Sequence, residues 1–242
     1  MKLKLAYRLT RVLLHLVKGL TICAIVFPFI GHERRNRHIQ RWSGQLLRIC
    51  GITVDITPGM QALEHALIVA NHVSWLDIFV INTVFPSRFV AKAEIRGWPI
   101  LGWLADKAGT VFIARGNRRD LRHIFKGLVH SLEKGERVAF FPEGTTASQG
   151  ELLPFHANLF EAAIDAHVPV QPYALRYVDD AGRLHPNVDF VGEMSFAESM
   201  LLILKGSAIH AQVQCLAPLD SAGVHRRELA DAAHAAILAT LR

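Results

Sequence analysis

The chain has 242 residues, 51% of them hydrophobic, with only 20% charged and a formal net charge of +6. This supplies a core for one large domain. The low charge points to a membrane association or a large apolar pocket, and no zinc-finger spacing or aromatic RNP run supports nucleic-acid binding.

The positive charge is confined to the N-terminal fifth. Residues 1–50 hold ten Lys or Arg against Glu33 alone, whereas the remaining residues hold 17 basic and 20 acidic groups. Such a terminus suits an anionic surface. VLLHLVKGLTICAIVFPFI (12–30) is the most apolar window. His15 and Lys18 interrupt it and no A-x-A-like site follows, so it does not read as a signal peptide. Its unbroken part, 19–31, is shorter than the roughly 20 residues of a spanning helix, and Lys18 is costly at a bilayer centre. The expectation is a helix lying in one leaflet, ended by Pro28 and Gly31. In the next segment Ile39, Trp42, Leu46 and Ile49 fall at helical spacing, widened by Leu47 and Cys50, with Arg34, Arg35, Arg37, Arg41 and Arg48 as a cationic flank. This predicts a helix hairpin on anionic headgroups; the plainer alternative is an amphipathic helix packed on the domain. Residues 1–50 thus read as a membrane-associated helical unit and 51–242 as an α/β domain. Cys23, Cys50 and Cys215 are few and far apart, as reduced thiols of a cytosol-facing protein are.

From Gly51 strands and helices alternate. Strands are expected at 52–57, 66–70, 88–92, 110–114, 137–141 and 168–175, with two more in NVDFVG (187–192) and HAQVQCLAP (210–218). The continuous apolar run 66–70 marks a central strand. Helices are expected at 74–84, 98–107, 118–135, 158–167 and 226–241, and VDDAGRLHP (178–186) reads as a hairpin turn. The class is α/β, a mixed, largely parallel central sheet flanked by helices and preceded by the membrane-associated helix pair.

Asn71 and His72 then lie at the C-terminal end of a central strand, the edge where open α/β sheets bind ligands. Asn71 counts there as a substrate contact. His72 and Asp77 are five residues apart and would face differently within one helix, so they meet only if His72 precedes the helix and Asp77 sits in its first turn, with Ser74 as N-cap. Asp77 then holds one imidazole nitrogen and leaves the other as a base. Alone, the pair reads sooner as a capping acid beside a loop histidine, since H-x-x-x-x-D is common by chance. No G-x-S-x-G elbow, H-E-x-x-H pair or Walker loop occurs in the sequence. Arg115 leaves one strand as a candidate anion binder, and Glu143, Gly144 and Thr145 form a tight turn after another, where Gly144 permits close backbone approach. Pro169 and Pro172 stiffen the start of a third strand.

In this order, NHVSWLD (71–77), GTVFIAR (109–115), FPEGT (141–145) and VPVQP (168–172) resemble the four blocks of the glycerolipid acyltransferases, in the bacterial branch that acylates 1-acyl-glycerol-3-phosphate. The resemblance covers roughly residues 65–175, and the basic helical N-terminus also matches. It implies that His72 takes the proton of a lysolipid hydroxyl, that Asp77 orients it, and that the oxygen attacks the thioester of acyl carrier protein or coenzyme A with no metal or other cofactor. It implies an acceptor-headgroup role for Arg115, acceptor-site roles for Glu143, Gly144 and Thr145, and acyl-site or structural roles for Pro169 and Pro172. The implied location is the cytoplasmic face of a bacterial inner membrane. One departure stands out: FPEGT is usually followed by Arg-Ser, whereas here Thr146, Ala147 and Ser148 follow; a Thr there also resembles the enzymes that acylate lyso-ornithine lipid and some other lysophospholipid acyltransferases. A rival of another class is a non-catalytic membrane-binding domain, against which the intact His72 and Asp77 argue.

Overall fold

The computed structural model describes residues 2–57, 61–113 and 118–242. Helix α1 (Lys2–Thr21) runs into a π-helical turn, Ile22–Val26, and a 3-10 turn, Phe27–Phe29, so that Leu3–Phe29 forms one helical rod. The rod starts earlier than the apolar window and, by length and composition, is long enough to cross a membrane; the expected shortness is thus corrected. Pro28 sits in its last turn. The Arg35 guanidinium donates to the Phe27 and Ile30 carbonyls (2.7 to 3.1 Å) and closes the corner into α2 (His32–Cys50). His15 and Trp42 stack at 4.6 Å, and the ring nitrogen of each bonds the other's carbonyl. A Cβ at Gly19 would lie 2.7 Å from the Trp42 indole nitrogen, so the close crossing requires glycine.

The sheet has seven strands, β1 (Ile52–Ile56), β2 (Leu67–Ala70), β3 (Arg88–Lys92), β4 (Val111–Ile113), β5 (Val138–Phe140), β6 (Val170–Val178) and β7 (Ile209–Cys215), in the order β1-β7-β6-β2-β5-β3-β4. All neighbours are parallel except β6 and β7. The connecting helices are α3 (Asp77–Val84), α4 (Leu101–Lys107), α5 (Arg118–Glu133), α6 (Glu161–Asp165), α7 (Phe196–Lys205) and α8 (Arg226–Leu241). In β2, Ile68 and Ala70 join the core beneath α2, α3 and α7, while Leu67 and Val69 join the core beneath α5, α6 and α8. A strand covered on both faces has no polar side, which explains the unbroken apolar run.

Three expectations are corrected. The segment 187–192 is not a strand: Pro186–Val188 is a 3-10 turn and Phe190 donates to the Val73 carbonyl. Its neighbours in sequence, β6 and β7, already have both edges taken, by β2 and β7 and by β1 and β6, so neither leaves it a ladder. Helix α7 was not expected, although Ser195 and Glu198 form the capping box that announces it. A boundary at residue 50 does not separate two cores. Val12, Leu46, Leu47, Ile49 and Cys50 are buried in one cluster with Ile68, Val80 and Val213. The plainer reading of α2, an amphipathic helix packed on the domain, therefore describes its buried face.

Candidate active site

Because β2 and β5 are parallel neighbours with Val69 opposite Phe140, the segments leaving their C-terminal ends run side by side. His72 thereby stacks on Phe141, with ring centroids 3.8 Å apart and planes 6° from parallel. The stack fixes the imidazole plane. Asp77 fixes its rotation: His72 Nδ1 lies 2.7 Å from Asp77 Oδ2. That oxygen also accepts from the backbone N–H groups of Val73 (2.8 Å) and Ser74 (3.0 Å). The other, Oδ1, accepts from the Tyr177 hydroxyl. Asp77 is fully buried, and these donors satisfy both of its oxygens. Burial, and then the Asp77 charge, push the Tyr177 phenol far above its ordinary range, so it stays protonated and donating. The His72 side chain remains 19% exposed, so the ring is not sealed from a reactant.

The helix begins at Asp77, not at Ser74. Ser74 is no N-cap: its buried hydroxyl has no partner among the described residues. Residues 73–76 instead turn around the carboxylate, which accepts the Val73 and Ser74 N–H groups from within the helix. The requirement that Asp77 sit in the first turn is met.

The neighbouring residues fall differently from expectation. Both Glu143 oxygens accept backbone N–H bonds, Oε1 from His72 (2.7 Å) and Oε2 from Leu153 (2.9 Å), and the residue is buried. Glu143 thus braces the backbone that carries the imidazole and does not face outward as an acceptor contact. Burial raises its proton affinity, while the two N–H bonds and His72 oppose this. Gly144 has φ +69, the left-handed value that favours glycine, and Thr145 is exposed at the rim of the turn. The Asn71 amide is buried and exchanges bonds with the Leu175 backbone, Nδ2 donating to O (3.0 Å) and Oδ1 accepting from N (2.8 Å). It continues the β2–β6 ladder with a side chain, which withdraws it from the substrate. Pro172 sits inside β6 opposite Val69, where a missing N–H is tolerated because the chain after β7 bulges away between Leu216 and Leu219. The Pro169 carbonyl accepts from Leu67 N. Arg115 lies outside the described residues. Thr146 donates its hydroxyl to the Phe190 carbonyl and Ala147 is buried, so the turn after FPEGT presents no cation. Among the described residues no cluster of His, Cys, Asp or Glu forms a metal site.

Sequence reasoning missed Tyr177 and Phe141. Phe141 opens the FPEGT block without its stacking role being read, and Tyr177 has no local signal, since it reaches Asp77 across 100 positions through the pairing of β6 with β2.

A profile of the family described as Acyltransferase matches residues 51–176. The chain is 46% identical over 154 residues to the 1-acyl-sn-glycerol-3-phosphate acyltransferase of Neisseria meningitidis, covering 62% of this chain and 60% of that protein. The match to the Neisseria gonorrhoeae protein of that name covers 54% of its length, so the chain spans less than two thirds of these two relatives. It is 35% identical to the lyso-ornithine lipid O-acyltransferase of Pseudomonas aeruginosa over 98% of this chain and 93% of that one. The crystal structure of the 1-acyl-sn-glycerophosphate (LPA) acyltransferase PlsC from Thermotoga maritima superposes with a TM-score of 0.64 over 97% of this chain and 96% of that one, at 20% identity, and shares the fold.

Proposed function

This chain belongs to the acyltransferase family, and from that premise we propose that it transfers a fatty acyl group from a thioester to the free hydroxyl of a lysolipid. The observation that carries the reading is the His72–Asp77 pair at the C-terminal edge of the sheet, with Nδ1 engaged and the imidazole side chain partly exposed. Nε2 takes the hydroxyl proton as the oxygen attacks the thioester carbonyl. The C–S bond then breaks, and the departing thiolate takes the proton from Nε2. An ester and a free thiol result, and the imidazole is restored. A thioester is already activated, so a positioned base, worth about 10²–10⁴-fold, and orientation of the two substrates serve the reaction without a cofactor. His72→Ala should lower turnover by about that factor with an unchanged unfolding curve; wild-type turnover would remove the base from the scheme.

The acceptor we assign is 1-acyl-sn-glycerol-3-phosphate, in line with the Neisseria relatives, with Arg115 as headgroup contact and acyl carrier protein or coenzyme A as donor. The cation-free turn after Thr145 and the full-length match to the Pseudomonas relative favour lyso-ornithine lipid as the second reading. Purified protein offered both lysolipids with labelled acyl thioesters separates the two by the mass of the product. Acylation of neither, by an otherwise folded protein, would leave the non-catalytic membrane-binding alternative.

The support for a membrane location is the outer face of the helical rod, where Leu3, Leu13, Leu14, Val17, Ile25 and Phe29 are all exposed. The rod is tied to the domain near its start, where Arg8 donates to the Leu204 carbonyl, and to α2 at its other end, where the Phe27 carbonyl accepts from Arg35. A helix held along the domain in this way lies in one leaflet, and its basic flanks suit the cytoplasmic face of a bacterial inner membrane.

A further inference from the structure

The two groups that interrupt the apolar N-terminal window, His15 and Lys18, take no part in the chemistry above. They line a cleft of about 510 Å³ between α1 and α2, together with Arg11, Gln45, Arg48 and the apolar Leu14 and Ile49. None of these side chains is among those that hold His72 or Asp77. Three permanent cations thus converge beside a face of exposed Leu13, Leu14 and Val17. Among the described residues no carboxylate pairs with them: Lys18 Nζ donates to the Gln45 amide oxygen (2.8 Å), Arg48 Nε to the Gly44 carbonyl (3.1 Å), and Arg11 lies over the Tyr7 ring. Cations next to an apolar surface that meets lipid are unfavourable unless an anion neutralises them. The described residues supply none, which leaves the counter-charge to a ligand.

We propose that the α1–α2 cleft binds a phosphate group, carried by an anionic lipid, at a place distinct from the His72 site. The ammonium and guanidinium groups form charge-assisted bonds to its oxygens, and Leu14 and Ile49 meet the glycerol and chain ends. His15 completes the site. Its Nε2 bonds the Trp42 carbonyl (2.9 Å), and Nδ1 has no partner among the described residues. Burial, with repulsion from Lys18 and Arg11, holds the imidazole below its ordinary range, against the pull of the Trp42 bond. A bound phosphate cancels that repulsion and draws a proton onto His15, which makes the residue a reporter for the site.

The test uses the full chain, labelled with ¹⁵N at histidine, in detergent micelles. The His15 titration is followed by NMR with short-chain phosphatidic acid, with inorganic phosphate and with short-chain phosphatidylcholine. Phosphatidic acid should move the His15 midpoint upward. Inorganic phosphate should do so at higher concentration, and the zwitterionic lipid should have little effect. Equal potency of inorganic phosphate would keep the site but assign it to free phosphate. Lys18→Gln combined with Arg48→Gln should weaken phosphatidic acid binding at least about tenfold, the weight of a charge-assisted bond. Arg34→Gln combined with Arg37→Gln removes the same charge from exposed positions outside the cleft and should leave binding unchanged. An unmoved His15 with both phosphate probes, or equal weakening by the two double variants, would overturn the site. Should the first double variant not fold, the titration of the unaltered chain decides alone.

Discussion

At the scale of residues, the site is a carboxylate with four donors around it. Removing the Tyr177 hydroxyl leaves the buried Oδ1 of Asp77 without a partner, which loosens the hold of the carboxylate on His72. Tyr177→Phe should therefore lower kcat by about tenfold, equivalent to 1.4 kcal/mol, with KM for the lysolipid unchanged. A KM effect alone would mean that Tyr177 serves binding. Glu143 makes the opposite distinction. Glu143→Gln turns one of two buried acceptors into a donor facing an N–H, and should cost about 1–3 kcal/mol of stability as well as kcat. If only KM for the acceptor rose, with the unfolding curve intact, the residue would touch substrate after all. The imidazole and the aspartate were legible in sequence because their spacing and position after an apolar run limit where they can lie. The brace role of Glu143 and the ladder role of Asn71 were not, since a carboxylate or amide has the same letter whether it faces ligand or backbone.

At the scale of elements, Arg88 ties three pieces together at the start of β3. Its guanidinium donates to Ser131 in α5 and to Glu136 (both 2.6 Å), and to the Gly109 carbonyl before β4 (3.1 Å). Burial pushes the Glu136 carboxyl up, but the Arg88 bond and charge and the Ser131 bond outweigh it and hold the group below its ordinary 4.5. A carboxylate depressed in the folded state stabilises above its unfolded value and loses that contribution as pH falls through the folded one. Glu136→Gln should therefore be less stable than the unaltered chain at neutral pH, by about 1 kcal/mol after allowance for solvent screening. The gap should close on acidification below 4.5. A gap independent of pH in chemical unfolding would rule out the ion pair as its source. Periodicity found most strands and long helices, including α2, α5 and α8. It failed at 187–192, where a β-like pattern serves a loop crossing the active site, and at α7, where the capping box was the available signal.

At the scale of the whole molecule, the helical hairpin is both membrane element and core. Its inner face is buried with the sheet, so removing residues 1–50 would expose Leu76, Val80 and Ile81 of the catalytic layer instead of merely releasing an anchor. Attachment is better tested on the outer face. Leu13→Glu with Val17→Glu, both at exposed positions, should abolish co-sedimentation with anionic vesicles and leave thermal unfolding unchanged. Retained binding would place the anchor elsewhere. By itself the sequence determined the fold class, the central strand, the reactive pair and the basic, apolar character of the N-terminus, because each depends on spacing or composition within a short stretch. The packing of distant elements alone gives Asp77 its Tyr177 donor, turns Glu143 and Asn71 to the backbone, and brings together in one cleft three cations that meet no carboxylate among the described residues. These depend on which distant strands and helices become neighbours, and strand order is set by burial of the whole sheet, not by any local pattern.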